Sequence, residues 1–349
     1  MGLRHFMSDS NVPGIDSNKV SAWLTNLLPD LKLPIQFSAL AGGLSNLSYK
    51  FVDQSGTAYV LRRPPLGHVL QSAHDMVREH RIVSAVAKGP VPVPRTHGVC
   101  EDVSITGAPF YVMDYVEGLV LTDVDIAQKL SVEERAGVSQ HLVEVLADLH
   151  STDIDAIGLG DLARKEGYIS RQLKRWTRQW EATKTHEIPE MDEAIRLLHE
   201  RMPEQIGTAI VHGDYRLGNM IVADGRVQAV LDWELCTLGD PLADLGYLLN
   251  TWVEPGEPGS EIHIIGIGGF WSRNELCDTY AKASGKDLSQ INYYRGFSSW
   301  RMAAIDQGVY KRYFDDTTGK TVGIDLEEKK ANVLRRARTA LELINSAGP

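Results

Sequence analysis

The sequence predicts an α+β chain in two lobes, a small antiparallel sheet with one helix followed by a larger, mostly helical lobe. Three observations carry that expectation. The first third alternates β-prone runs with turn chemistry in the order β-β-β-α-β-β. From Ser131 onward the apolar spacing becomes helical, interrupted by one short β interlude. Finally, 349 residues at 43% hydrophobic and 23% charged suffice for two cores, and exclude wholesale disorder or a fibrous repeat.

In chain order, Val20, Trp23, Leu24, Leu27 and Leu28 share one face of a short helix over 16–28, within an N-terminal helical extension of residues 1–34. Strands are expected at 35–41, 48–53 and 58–62, bounded by Gly-Gly, Gln54-Ser55-Gly56 and Pro64-Pro65. The middle pair reads as a hairpin, because Gln54-Ser55-Gly56 is turn chemistry between β-prone runs. Residues 72–87 form a helix with Met76, Ile82, Val83 and Val86 inward and Arg78, Glu79 and Arg81 on its more polar side. Two strands, 95–100 and 109–115, complete the first lobe (35–117), and the second lobe takes 118–349. There, Val138, Leu142, Val145, Leu146 and Leu149 mark one helix and 168–180 another. A strand interlude runs over 209–231 before helices resume.

Charge and composition narrow the function classes. Lys plus Arg number 36 against 46 Asp plus Glu, a net charge of −10, so a phosphate backbone repels the chain and nucleic acid is not an expected partner. No apolar run approaches the ~20 residues of a membrane span. The first seven residues are too short and polar for a signal peptide, Phe6 stands where myristoylation wants Ser or Thr, and Met7 offers an alternative start. Cys100, Cys236 and Cys277 are too scattered for a disulfide framework or a zinc site. A cytoplasmic protein, monomer or homodimer, is the expectation. His68, His74 and His80, spaced by six, share no helix face for a metal, and neither a Gly-x-Ser-x-Gly elbow nor a Walker A motif occurs.

The chemistry concentrates in residues 210–234. An apolar strand delivers His212-Gly213-Asp214, Asn219 follows before the next strand, and a hairpin leads to Asp232-Trp233-Glu234. Apolar strands ending in Asp, Asn and Asp set oxygen-bearing side chains at one end of a small sheet. A hard cation plus a phosphate needs such ligands, with a further carboxylate to take a proton. The bland competitor is a loop rich in Asp and Asn for turn reasons.

His212-Gly213-Asp214 with Asn219, Asp232-Trp233-Glu234 and the run Gly239-Asp240-Pro241-Leu242-Ala243-Asp244-Leu245 resembles the aminoglycoside phosphotransferase and choline kinase-like family, over most of the chain from about Ala39. Within it, Leu61-Arg62-Arg63-Pro64-Pro65 and Gly213-Asp214-Tyr215-Arg216-Leu217-Gly218-Asn219 resemble bacterial members related to the kinase-like half of fused acyl-CoA dehydrogenases, although 349 residues leave no room for a flavin domain beside the two lobes. The resemblance implies a bilobal protein-kinase-like fold and an ATP- and Mg²⁺-dependent phosphotransferase, with GTP as the alternative nucleotide.

The resemblance also implies roles. Asp214 would be the catalytic carboxylate that orients the acceptor hydroxyl and takes its proton, and Asn219 and Asp232 would ligate Mg²⁺. His212 would brace the loop, Asp240 and Asp244 would fix the loop and cap the Pro241 helix, and Glu234 would assist a second metal or touch substrate. Gly42, Gly43, Ser45 and Asn46, between the first two strands, would cradle phosphate oxygens. Arg62 stands where a kinase carries lysine and would grip phosphate, with Glu79 as its ion-pair partner, while Arg63 faces the other side of the strand. Met113, Asp114, Tyr115 and Val116 would form the hinge against adenine, a plain strand-to-loop transition being the competitor.

For the acceptor, Arg171, Lys174, Arg175 and Arg178 make a basic stripe beside Trp176 and Trp180. A second cluster joins Tyr293, Tyr294, Arg295, Trp300 and Arg301. The stripe attracts an anionic acceptor or is a solvated, salt-bridged helix face, and the second cluster lines the acceptor cleft or is core. A hydroxyacyl-CoA or hydroxy acid is the preferred acceptor class, ahead of aminoglycosides or amino alcohols. The competing readings are a non-catalytic nucleotide-binding pseudokinase and an acyl-CoA-binding partner of a dehydrogenase.

Overall fold

The computed structural model describes residues 12–40, 46–66, 74–315 and 325–347. The chain separates into two compact units, Met1–Gly118 with Gln228–Glu234, and Leu119–Val227 with Leu235–Pro349.

The first unit opens with α1 (Ser17–Leu27), started by Asp16, whose carboxylate accepts the Lys19 N–H at 3.1 Å. Strands β1 (Gln36–Ala39), β2 (Leu47–Val52) and β3 (Ala58–Arg63) follow, then α2 (Met76–Val86), β4 (Thr96–Cys100), a short α3 (Val103–Thr106) and β5 (Phe110–Asp114). The strands pair antiparallel in the order β1-β2-β3-β5-β4. The β2–β3 hairpin turns as expected, because the Asp53 carboxylate accepts the N–H groups of Ser55 and Thr57, each at 2.9 Å. Helix α2 starts at its cap Asp75 rather than at 72, a position outside the described residues.

Period-two alternation gives the sheet two faces. Phe51, Leu61, Phe110 and Val112 pack on one face with Val20 and Leu24 of α1. The helix of the N-terminal extension expected over 1–34 therefore packs into this core. Val60, Tyr111 and Met113 pack on the other face with Met76 of α2. Arg62 and Arg63 accordingly part company. Arg63 is buried and donates to the carbonyls of Gly14, Pro64 (3.2 Å) and Thr106 (2.7 Å), so it has no part in gripping phosphate.

The second unit contains β6 (Leu119–Val120), α4 (Val124–Ala127), α5 (Val132–Ser151), α6 (Tyr168–Thr183), α7 (Pro189–Glu200), β7 (Ala209–Val211), β8 (Met220–Ala223), the start of β9 (Arg226–Val230), β10 (Thr237–Gly239), α8 (Leu242–Asn250), α9 (Arg273–Ser284), α10 (Ile291–Phe314) and α11 (Leu326–Ser346). Strand β7 pairs antiparallel with β10, and β6 with β8. A capping box starts α5, Ser131 and Glu134 each satisfying the other's backbone N–H. Helix α8 is buried from Leu242 through Leu249. Gly246 lets it approach α10 closely, since a Cβ there would lie 2.8 Å from the Tyr294 carbonyl carbon. Among the described residues no helix is long and apolar enough to cross a membrane.

Candidate active site

In the second unit, the buried strand β7 delivers His212-Gly213-Asp214 into a tight turn. Gly213 has φ +87°, and a Cβ there would sit 3.0 Å from both the Leu235 Cβ and its carbonyl oxygen, so the turn demands glycine. The turn is held from α8: the buried Asp244 carboxylate accepts the N–H of His212 at 2.6 Å and of Gly213 at 2.8 Å. Burial alone would raise the Asp244 pKa. Hydrogen bonds from His150 and the Gly213 N–H outweigh that and hold it below the ordinary aspartate value. His212 is buried and its Nδ1 accepts the Asp214 N–H at 3.2 Å, a bracing position.

The Asp214 carboxylate is gripped on both oxygens. Asn219 donates its amide to Oδ2 at 2.7 Å and to the Asp214 carbonyl at 2.8 Å. Tyr247 of α8 donates its phenol to Oδ1, and the Arg216 Nε lies 3.4 Å from the same oxygen. The Asp214 side chain remains 22% exposed, so a substrate can still reach it. Arg301 of α10 donates to the Gly213 carbonyl at 3.1 Å and stacks its guanidinium 5.3 Å from the Tyr247 ring centre.

In the first unit, Arg62 pairs with the buried Glu79 at 3.1 Å and with Asp232 at 2.5 Å. Burial opposes the Arg62 charge, but Glu79 and Asp232 overcome it and keep the guanidinium protonated. Burial pushes the Glu79 carboxyl up and Arg62 pulls it back, leaving it above the ordinary glutamate value. Asp232 sits in left-handed backbone, φ +66°, a conformation aspartate tolerates better than most residues.

Other positions serve differently from the sequence expectation. Asn46 is buried with both ends of its amide taken: it donates to Glu234 at 2.9 Å and meets His74 Nδ1 at 2.9 Å. Its side chain thus braces the unit, and Glu234 is the other half of that clasp. Gly42, Gly43 and Ser45 lie outside the described residues. In the hinge stretch, the Asp114 N–H donates to the Arg95 carbonyl at 2.8 Å and the Tyr115 N–H to that of Ala58 at 3.3 Å. The Asp114 N–H is therefore committed to the protein. Met113 packs in the sheet, and Tyr115 carries the Lys50 ammonium 3.5 Å over its ring.

On α6, Lys174, Arg175 and Arg178 are exposed, whereas Trp180 is core. Tyr293, Tyr294 and Trp300 of α10 are core as well; Tyr293 bonds the Leu198 carbonyl and Tyr294 the Asp240 carboxylate, each at 2.7 Å. Asp240 also accepts the Leu242 N–H at 3.1 Å, acting as a cap, while Asp244 reaches back to the turn and does not cap. Among the described residues no three His, Cys, Asp or Glu side chains gather as a metal site. Sequence reasoning missed Tyr247. In the apolar run of α8 it reads as core, and only its place one turn after Asp244 hints that it faces the same turn.

The profile of the phosphotransferase enzyme family matches residues 36–272. Acyl-CoA dehydrogenase family member 10 of Mus musculus is 37% identical over 289 residues, which is 80% of this chain and 27% of that protein. The chain spans between 27% and 40% of the length of the curated relatives it matches, among them acyl-CoA dehydrogenase family members 10 and 11. A Ralstonia eutropha JMP134 structure, described as a candidate aminoglycoside phosphotransferase, superposes with a TM-score of 0.82 at 33% identity, covering 96% of this chain and 99% of that one. A ternary complex of aminoglycoside phosphotransferase APH(4)-Ia with AMP-PNP and hygromycin B, 16% identical, covers 95% of this chain and 100% of that one at a TM-score of 0.59. The fold is the α+β kinase-like one, a five-stranded antiparallel sheet followed by a largely helical region.

Proposed function

We propose that this chain, which belongs to the phosphotransferase enzyme family, transfers the γ-phosphoryl group of ATP to a hydroxyl of a small metabolite. The observation that carries this reading is the Asp214 carboxylate, held by donors on both oxygens at the end of a buried strand yet still reachable. A carboxylate so oriented suits a base that receives the acceptor's proton as the new oxygen–phosphorus bond forms and the bond to the β-phosphate oxygen breaks. The AMP-PNP and hygromycin B bound by the fold relative support a nucleotide and a small hydroxylated acceptor as the two substrates.

Arg62, kept charged by Glu79, is the proposed phosphate-gripping cation. Asn219 and Asp232 offer an amide and a carboxylate oxygen, a donor set that suits Mg²⁺, which is usually held by one or two carboxylates plus waters and phosphate oxygens. When bound, the ion would supply positive charge that offsets the negative charge of the transferred group. The Val116 backbone, beyond the committed N–H groups of Asp114 and Tyr115, is the proposed adenine contact. For the acceptor, the acyl-CoA dehydrogenase names of the relatives and the exposed Lys174, Arg175 and Arg178 favour a hydroxyacyl-CoA or hydroxy acid.

The test is a mass-spectrometric screen of hydroxy acids, hydroxyacyl-CoAs, amino alcohols and aminoglycosides with ATP and Mg²⁺. Turnover should fall by about 10²–10⁴ in Asp214→Asn, with nucleotide affinity held within about twofold. A wild type that binds nucleotide but phosphorylates no compound in the library would replace this reading with a nucleotide-binding module.

A further inference from the structure

We infer that Tyr247 is a positioning residue that fixes the Asp214 carboxylate so that the acceptor hydroxyl is received at Oδ2. The inference rests on the proposed role of Asp214. Three side chains from α8 and α10 converge on the Gly213–Asp214 turn, and they divide the work. Asp244 holds the N–H groups of His212 and Gly213, and Arg301 holds the Gly213 carbonyl. Both act on the backbone. Tyr247, one helical turn after Asp244, is the member of this set that touches the reacting group itself.

Its own freedom is small. The ring is 6% exposed and lies under the Arg301 guanidinium, so the phenol can swing little. Oδ1 therefore faces Tyr247 and Arg216, while Oδ2 has Asn219 as its one neighbour among the described residues. A carboxylate oxygen accepts about two hydrogen bonds, so the open acceptor direction lies on Oδ2. Donors on opposite oxygens also fix the carboxylate plane, and a base displaced by about 1 Å loses on the order of 10²-fold in rate.

The experiment compares Tyr247→Phe, which keeps the ring and deletes the donor, with 4-aminophenylalanine at 247, which restores one. The expected result is a kcat lowered about 10- to 100-fold in Tyr247→Phe, acceptor KM and nucleotide Kd within about twofold of wild type, and recovery of most of the loss by the amino variant. A kcat within about twofold of wild type in Tyr247→Phe would overturn the inference, as would parallel losses of nucleotide affinity and thermal stability, which mark a merely structural role. If the Phe variant does not fold, the amino variant decides: wild-type-like kcat supports the inference and a collapsed kcat in a folded protein overturns it. A readout without turnover separates this inference from the proposed function. The hydrogen-bonded phenol proton should give a downfield resonance in water, lost in Tyr247→Phe and shifted in Asp214→Asn. With that resonance present, a wild type without transferase activity strikes the function alone; with it absent, the Tyr247 inference falls.

Discussion

Asp244→Asn tests how the His212–Gly213–Asp214 turn is held. The substitution keeps shape and volume but replaces one carboxylate oxygen with an amide nitrogen. In the native protein that carboxylate accepts two backbone N–H groups, at 2.6 and 2.8 Å, with no access to water. Hydrogen bonds to a charged acceptor contribute about 1.5–3 kcal/mol each, and a buried donor left facing another donor costs about 1–3 kcal/mol. Asn can serve one N–H through its carbonyl, so the expected loss is about 2–4 kcal/mol, or roughly 3–6 °C in Tm for a chain of this length. The pH dependence has a definite sign. Asp244 has its pKa depressed in the folded state, so its contribution is complete above the unfolded aspartate value of about 3.9 and fades only as pH falls through the lower folded value. Urea unfolding from pH 5 to pH 8 should therefore show a constant gap between wild type and variant. A gap under about 1 kcal/mol, or one that closes already near pH 6, would refute the reasoning.

Two further outcomes follow from the same geometry. Arg62→Met strands Glu79 as a buried carboxylate without its partner and should destabilise the first unit by about 3–5 kcal/mol, while calorimetry should show nucleotide affinity reduced tenfold or more; Arg62→Lys should recover part of both. Gly213→Ala forces a side chain into φ +87° against Leu235 and should cost about 1–2 kcal/mol in urea unfolding, with kcat falling more than KM rises because the Asp214 turn shifts.

How much was legible in the sequence depended on whether a signal is local. Strand alternation placed Arg62 and Arg63 on opposite faces, since period two is a property of any extended chain, and the structure sends Arg62 to Glu79 and Arg63 to backbone carbonyls. The Gln54-Ser55-Gly56 turn announced itself through Asp53 and its neighbours. Short elements escaped: α3 and β6 span too few residues to develop a period. The partners of Asn46 were hidden for a different reason: Glu234 and His74 are distant from it in sequence. Tyr247 escaped likewise, because an apolar helical run hides a polar tip that only tertiary packing aims. That Asp214 follows the end of an apolar strand was readable from the sequence, but its grip by Asn219 and Tyr247 was not.

The placement of Gln228–Glu234 in the first unit has a consequence for how the chain is made. During synthesis the sheet emerges early, yet the Pro92 carbonyl waits for the Val230 N–H, and Arg62 for Asp232, until the ribosome has completed the whole of the second unit's first segment, Leu119–Val227. A nascent Met1–Gly118 segment thus carries a buried-facing arginine with only half its counter-charge. Dividing the gene at Gly118 would produce that same incomplete piece permanently. Nature's seam in this protein runs through the middle of a hairpin, and any split, fusion or permuted version must carry residues 228–234 along with the sheet.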